Sequence, residues 1–177
     1  MENDSLLCNK STYASFGSYA FVLIRPFKQQ DEPGVIALWH TCALTRSWNN
    51  PSLDIARKLE VDPELFLVGE EDGLIIASAM FGYEGHRGWV NYLAVDPSHQ
   101  RKGYATQLME HGEHLLRALG CPKLNLQVRS TNASTLAFYE SLGYKNDDVI
   151  SLGKRLISDE VWRISSRIER KFSHYTC

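Results

Sequence analysis

A strand that runs into a basic, glycine-containing turn and then into a helix constrains the fold of this chain more than any other feature. The stretch 90–106 reads Val-Asn-Tyr-Leu-Ala-Val-Asp-Pro-Ser-His-Gln-Arg-Lys-Gly-Tyr-Ala-Thr. The first backbone N–H groups of a helix lack intrahelical partners and carry partial positive charge, so this turn suits an anion. Gly103 and Ala105 leave room for the anion, and Arg101 and Lys102 add positive charge. The pattern predicts a pyrophosphate site.

Length, charge and cysteine content favour a single cytoplasmic domain. The chain has 177 residues, 44% of them hydrophobic, and a net charge of -2. Its basic residues are dispersed, which argues against a general nucleic-acid surface or a charged membrane anchor. No apolar run approaches the roughly 20 residues that span a bilayer. Four separated cysteines, without a Cys-x-x-Cys pair or a secretory leader, indicate a reduced cytoplasmic protein.

Hydrophobic spacing predicts a mixture of strands and helices. The predicted strands are 21–27, 65–69, 74–80, 88–95 and 123–128, with one or two more in 144–157; the predicted helices are 31–41, one from Pro51, 103–119 and 132–142. Asp72-Gly73 predicts a hairpin, and Gly112 predicts close packing of its helix. An early hairpin followed by a strand-helix-strand-helix unit favours α+β architecture around a mixed sheet.

The two ends of the chain differ from its centre. Residues 1–19 are rich in polar and small side chains, which predicts a flexible N-terminal tail. Residues 20–157 form the predicted domain. Residues 158–177 form a C-terminal extension in which Val161, Ile164 and Ile168 fall at helical spacing.

A second motif gives the turn its meaning. Residues 132–144 read Asn-Ala-Ser-Thr-Leu-Ala-Phe-Tyr-Glu-Ser-Leu-Gly-Tyr. Together with Gln-Arg-Lys-Gly-Tyr-Ala at 100–105, this motif resembles the GNAT superfamily of acetyl-CoA-dependent N-acetyltransferases, over 21–156. The stretches 48–51, 81–88 and 151–156 are similar to the bacterial YpeA-type subgroup. The resemblance implies a single-domain GNAT-like fold whose mixed, mostly antiparallel central sheet has helices on both faces.

The resemblance also implies where acetyl-CoA binds. Backbone groups of Leu93, Ala94 and Val95 would bond the pantetheine arm. Main-chain N–H groups of the turn and the helix start would hold the pyrophosphate; these residues are Arg101, Lys102, Gly103, Tyr104, Ala105 and Thr106. Asn132 matches the family asparagine that contacts the cofactor, and Tyr139 matches the tyrosine near the thioester sulfur.

Amine attack on a thioester requires a neutral nucleophile, donors facing the oxyanion and a proton for the leaving thiolate. Backbone N–H groups at 93–95 are the predicted oxyanion donors, and Tyr139, with a reference pKa of about 10, is the predicted acid. Where N-terminal acetyltransferases carry a glutamate base, this chain has Gln127, whose amide cannot accept a proton. The base is Glu84, His86 or a water chain, unless the amine arrives deprotonated.

Several alternatives stay open at this level. The acceptor amine belongs to a small molecule, a peptide N-terminus or a lysine, and Gln127 argues against the N-terminal branch. Trp48 with Arg46 either walls the acceptor pocket or closes a loop onto the core. His111 and His114 lack the Cys, Asp or Glu companions of a metal site, so no metal is expected. The rival function is a non-catalytic acyl-CoA-binding sensor, and a homodimer is compatible with either function.

Overall fold

The structure is a computed structural model that describes residues 22–159. The predicted N-terminal tail and residues 160–177 of the predicted extension lie outside the described residues. The strands within that range are β1 (Leu23–Pro26), β2 (Phe66–Glu71), β3 (Leu74–Tyr83), β4 (Gly88–Val95) and β5 (Leu124–Asn125). The helices are α1 (Glu32–Thr41), α2 (Pro51–Leu59), α3 (Tyr104–Ala118) and α4 (Ala133–Ser141).

The strands form one sheet in the order β1-β2-β3-β4-β5. The first four strands are antiparallel neighbours, and β5 joins β4 in parallel. The predicted hairpin is confirmed: Asp72 and Gly73 connect β2 to β3 with φ values of 50° and 80°. Two successive positive φ angles match the twist of the strands in a two-residue hairpin loop.

Helices cover both faces of the sheet, as the resemblance implies. One face carries α3 and α4, with a core formed by Leu67, Ala79, Phe81, Val90, Tyr104, Leu108, Met109, Leu116 and Tyr139. The other face carries α1 and α2, with a core formed by Val35, Leu38, Trp39, Ile55, Phe66, Val68, Met80 and Ala94. Alternate residues of the central strands therefore supply two separate cores. The sheet lies between these cores and is packed against helices on both faces.

The predicted close approach of α3 is confirmed at Gly112. A Cβ atom built on Gly112 would lie 2.2 Å from Cζ of Phe81, which is 1% exposed. No real side-chain atom tolerates that distance, so only glycine lets α3 lie this close to β3. The position of α3 matters because its first turn is the predicted anion site.

The prediction of strands in 144–157 is wrong, and β5 is shorter than the predicted 123–128. The described residues after Tyr144 contain no strand. Val149, Ile150 and Leu152 are 78%, 88% and 90% exposed. A strand needs a neighbouring ladder, and a two-residue β5 offers this segment too short an edge. Apolar side chains in this segment therefore do not report strand formation.

The end of the described chain packs against α2. Asp159 accepts a hydrogen bond from the backbone N–H of Asn50 at 2.8 Å and pairs with Arg57 Nη2 at 2.7 Å. These contacts hold the pKa of Asp159 below its usual range, mainly through Arg57. The first residues of the predicted extension thus belong to the packed structure. Over 22–159, the helices lack the combined length and apolarity needed for a transmembrane span.

Candidate functional site

A β-bulge interrupts β4 next to the predicted cofactor residues. Ser78 lies opposite Ala94, whereas Met80 lies opposite Asn91, so β4 holds one residue more than β3 between these pairs. Tyr92 sits in the bulge with a φ of 54°. A bulge turns backbone groups out of the ladder, and here it does so immediately before Leu93. Sequence spacing gave no sign of it, because β4 carries neither glycine nor proline at this point.

A buried hydrogen-bond chain fixes the bulge from the α1 side. The indole Nε1 of Trp39 donates to Oγ of Ser78 at 2.9 Å, and that hydroxyl donates to the backbone oxygen of Tyr92 at 3.3 Å. Trp39 and Ser78 are both 0% exposed. Buried polar groups are costly unless they are paired. The chain therefore satisfies both side chains and holds one carbonyl of the bulge in place.

The side chain of Tyr92 is held from α1 and α2 together. Its ring stacks on Trp39 with centroids 4.0 Å apart. Its hydroxyl donates to Oδ2 of Asp54 at 2.7 Å and accepts from Nδ2 of Asn49 at 3.2 Å. Burial, followed by the Asp54 carboxylate, raises the pKa of Tyr92 well above its usual value. Tyr92 is therefore a neutral anchor, and sequence reasoning did not single it out.

Beyond Trp89, the sheet opens into a wedge between β4 and β5. The two strands pair at two positions only, Gly88 with Leu124 and Trp89 with Asn125. Past that point β4 continues to Val95, so its β5-facing edge has no strand beside it in the described chain. An open strand edge presents unpaired N–H and C=O groups that an extended amide chain can bond. Leu93, Ala94 and Val95 lie along this edge.

The predicted pyrophosphate turn lies at the open end of the wedge. Arg101 and Gly103 have φ values of 64° and 86°, and Gly103 is the N-cap of α3. Positive φ angles in such a turn orient successive N–H groups into a concave anion site. The first turn of α3 has no acidic residue and no side-chain cap. Its N–H groups are therefore available to a bound phosphate.

The same turn is anchored to β2 and β4 by its own side chains. The hydroxyl of Tyr104 donates to Oε1 of Glu71 at 2.7 Å, and His99 Nε2 lies 3.1 Å from Oε2 of the same carboxylate. The Glu71 contact and burial raise the pKa of Tyr104 to about 12. Gln100 Nε2 donates to the backbone oxygen of Val95 at 3.1 Å. Because Tyr104 is 1% exposed, its side chain serves as a buried anchor of the turn and does not contact a ligand.

The two predicted residues on α4 have different surroundings. Asn132 is the N-cap of α4, and its Oδ1 accepts from the backbone N–H of Thr135 at 3.2 Å. Tyr139 is 8% exposed, and burial raises the pKa of Tyr139 to about 12. Its hydroxyl oxygen has no hydrogen-bond partner within residues 22–159. Every fully buried side-chain nitrogen or oxygen in that range does have a partner, so the hydroxyl oxygen of Tyr139 is not fully buried. The hydroxyl is therefore at an accessible surface while its ring is buried.

The structure does not bring Glu84 and His86 to the bulge. Both lie in the exposed loop that precedes β4, and the Glu84 carboxylate accepts from the backbone N–H of Arg87 at 2.9 Å. With a rise of about 3.3 Å per residue, Gly88 and Leu93 are about 16 Å apart along the strand. Gln127, on the other side of the wedge, donates to Oγ of Ser151 at 2.6 Å. The candidate bases Glu84 and His86 thus lie at the far end of β4 from the bulge.

A cavity of about 530 Å³ lies against the loop between α1 and α2. Arg46 and Asn49 line it, together with His40 and Thr45. Because Asn49 also bonds the Tyr92 hydroxyl, the cavity borders the bulge on its α1 side. Trp48 in the same loop is 55% exposed. In residues 22–159, no three His, Cys, Asp or Glu side chains form a group able to hold a metal ion.

Comparisons with known proteins agree with this geometry. The family model described as the acetyltransferase (GNAT) family matches residues 32–144. An acetyltransferase of Yersinia pestis (strain Pestoides F) is 51% identical over 137 residues, which cover 77% of this chain and 97% of that protein. The family match thus includes the bulge, the turn and α4.

Two solved structures share the fold. The crystal structure of Ard1 from Thermoplasma volcanium matches with a TM-score of 0.64 and 25% identity, covering 74% of this chain and 84% of that one. AAC(6')-Iy, in complex with the bisubstrate analogue CoA-S-monomethyl-acetylneamine, matches with a TM-score of 0.65 and 16% identity, covering 78% and 100%. The chain therefore belongs to the GNAT acetyltransferase family and is an acyltransferase.

Proposed function

We propose that this enzyme transfers an acetyl group from acetyl-CoA to a primary amine by direct attack on the thioester. The observation that carries the proposal is the alignment of three features along β4. The bulge at Tyr92 comes first, the open edge at 93–95 follows, and the turn at 101–106 ends the series. An acyl group, an amide-containing arm and a pyrophosphate occur in the same order in acetyl-CoA.

The residues at each point fit that ligand. Backbone groups along the open edge at Leu93, Ala94 and Val95 suit the amides of the pantetheine arm, and the carbonyl of Val95 is already bonded by Gln100 and Cys42. The uncapped first turn of α3, with the side chains of Arg101 and Lys102 beside it, suits the pyrophosphate. Asn132 has its Oδ1 engaged in capping α4, which leaves its Nδ2 group for the cofactor. When bound, the thioester supplies the activated acetyl group.

Backbone donors and Tyr139 divide the electrostatic task between them. N–H groups at the bulge stabilise the oxyanion that forms when the amine attacks. With its pKa raised to about 12, Tyr139 is a weaker acid than a thiol, whose reference value is about 8.5. Tyr139 therefore stabilises the leaving thiolate chiefly by donating a hydrogen bond. Its hydroxyl, which has no hydrogen-bond partner among the described residues, is suited to that role.

Removal of the amine proton follows one of two routes. Glu84 and His86 remain our proposed bases, acting through a chain of water molecules because their loop is at the far end of β4. Alternatively, the amine binds already neutral and needs no base. Gln127 is occupied by Ser151 and is an amide, so it takes no part in proton transfer.

Two further observations support the proposal. AAC(6')-Iy, which shares this fold, forms a complex with the bisubstrate analogue CoA-S-monomethyl-acetylneamine. Cys42 and Cys121 are free thiols in the described chain, in keeping with the cytoplasmic location that we propose. The rival, a non-catalytic acyl-CoA sensor, has the same cofactor site and differs only in turnover.

A glycine pair tests the cofactor site. Gly103→Glu puts a carboxylate and a Cβ at the anion turn, whereas Gly120→Glu does the same at the C-terminal end of α3. Both glycines have positive φ, 86° and 79°, so the two variants carry similar backbone strain. Acetyl-CoA at about 100 times its Kd adds roughly 2.7 kcal/mol of stability, which raises Tm by about 5–10 °C.

We expect acetyl-CoA to raise the Tm of the wild type and of Gly120→Glu, and to leave that of Gly103→Glu unchanged. Equal stabilisation of both variants would contradict the assigned turn. CoA release is then measured across a panel of primary amines with a reagent that reacts with the free thiol of CoA. Cofactor binding without release by any amine would favour the sensor.

A further inference from the structure

The cavity beside the α1–α2 loop has a definite charge. Arg46 is its cation, and none of the side chains that line it is a carboxylate. The nearest carboxylates on α2 and at the chain end, Asp54 and Asp159, are both paired with Arg57. Oδ2 of Asp54 is further bonded by Tyr92 and Asn49. These two carboxylates share Arg57 and do not line the cavity, whereas the positive charge of Arg46 has no carboxylate partner among residues 22–159.

Arg46 is held in place with part of its donor set unused. Its Nη1 donates to the backbone oxygens of Ala43 and Thr45 at 2.8 Å and 3.1 Å. These bonds leave Nε and Nη2 without an acceptor among residues 22–159. A guanidinium presents paired donors in a planar fork that matches a carboxylate or a phosphate. His40 also lines the cavity. Its Nδ1 lies 2.9 Å from Oγ1 of Thr45, and its other ring nitrogen, Nε2, is available to a ligand.

We infer that the acceptor is a small molecule carrying both a primary amine and an anionic group, either a carboxylate or a phosphate. The inference rests on the proposed function. The anion binds Arg46, and the amine extends past Asn49 toward the bulge. At about 530 Å³, the cavity lies within the size range of small-molecule sites.

The reaction balances with the acceptor amine and acetyl-CoA alone. The neutral amine then attacks the carbonyl carbon of the thioester, a C–N bond forms and the C–S bond breaks. The amine loses one proton and the departing thiolate gains one, giving an N-acetyl product and CoA. Arg46 therefore acts by positioning the acceptor and takes no part in the proton transfer.

Matched amine pairs test this inference. Phenylalanine is compared with its amide, and phosphoethanolamine with ethanolamine, using kcat/KM for CoA release. The α-amine of phenylalanine amide is less basic than that of phenylalanine, so a larger fraction of it is neutral and reactive. A preference for phenylalanine would therefore not result from a difference in protonation. The variants are Arg46→Gln, Arg46→Lys and, as a control, Arg117→Gln on the exposed side of α3. Thermal stabilisation of the CoA-loaded protein by each amine gives an independent binding measurement.

We expect the anionic member of at least one pair to be preferred, and Arg46→Gln to reduce its kcat/KM by about 10- to 100-fold, the loss of one charge-assisted contact. Arg46→Lys restores part of the loss, and Arg117→Gln has no effect. Equal use of both members, or activity with peptides alone, would overturn the inference and leave the proposed function intact. Acetyl-CoA binding without CoA release from any amine would overturn both.

Discussion

Two neighbouring tyrosines allow the hydroxyl that we propose as catalytic, on Tyr139, to be compared with a structural hydroxyl on Tyr144. Tyr139 and Tyr144 pack edge to face with centroids 5.5 Å apart. The hydroxyl of Tyr144 donates to Oε1 of Glu113 at 2.7 Å, whereas that of Tyr139 has no partner in the described chain. Burial raises the pKa of both tyrosines. Replacing each with phenylalanine keeps the ring and removes the hydroxyl alone.

The expected effects are opposite. Tyr139→Phe removes a hydrogen bond to the leaving thiolate, worth about 1.5–3 kcal/mol, so kcat falls by about 10- to 150-fold. Because no hydrogen bond within residues 22–159 is lost, the stability of the unliganded protein changes by less than about 0.5 kcal/mol. Tyr144→Phe removes a hydrogen bond to Glu113, whose side chain is 24% exposed. Water replaces part of that bond, so the loss of stability is about 1 kcal/mol.

The assay combines steady-state CoA release at saturating acetyl-CoA with urea unfolding of the unliganded protein. We expect Tyr139→Phe to lower kcat at wild-type stability, and Tyr144→Phe to lower stability at wild-type kcat. Equal kcat values for Tyr139→Phe and the wild type would remove Tyr139 from the mechanism. A stability loss in Tyr139→Phe as large as that in Tyr144→Phe would show that its hydroxyl is structural.

Two further predictions concern the scaffold of the site. Gly112→Ala places a Cβ 2.2 Å from Phe81 and should cost about 1–3 kcal/mol in urea unfolding; an unchanged midpoint would mean that α3 moves away freely. Tyr92→Phe keeps the stacking on Trp39 but removes the bond to Asp54, so we expect about 1–3 kcal/mol less stability and a higher KM for acetyl-CoA. A loss of stability with an unchanged KM would show that the bulge does not need this anchor.

Local signals in the sequence predicted the parts of the fold that depend on near neighbours. Asp72-Gly73 predicted the first long hairpin because its turn needs two positive φ angles, which that pair adopts easily. The run from Val95 to Gly103 predicted a turn before a helix, and Gly112 predicted the close approach of α3. In each case, the residues that carry the signal also make the structure.

Features that depend on distant partners were not visible in the sequence. Tyr92 has positive φ although it is not glycine, because Trp39, Ser78 and Asp54 hold it from three other elements. The apolar residues of 144–157 fit a strand pattern, but such a pattern does not show whether a neighbouring strand edge exists for them to pair with. Glu84 and His86 precede the cofactor strand in sequence, but the length of β4 separates them from the bulge.

Because β4 and β5 pair at only two positions, the two strands are joined at one end and separated at the other. A bound molecule whose amides bond both strands would replace the hydrogen bonds that the sheet itself omits. Binding of such a molecule would then stabilise the association of β5 with β4. Amide hydrogens of β5 and the start of α4 should consequently exchange fastest in the unliganded enzyme, and their protection should rise with the cofactor rather than with the acceptor.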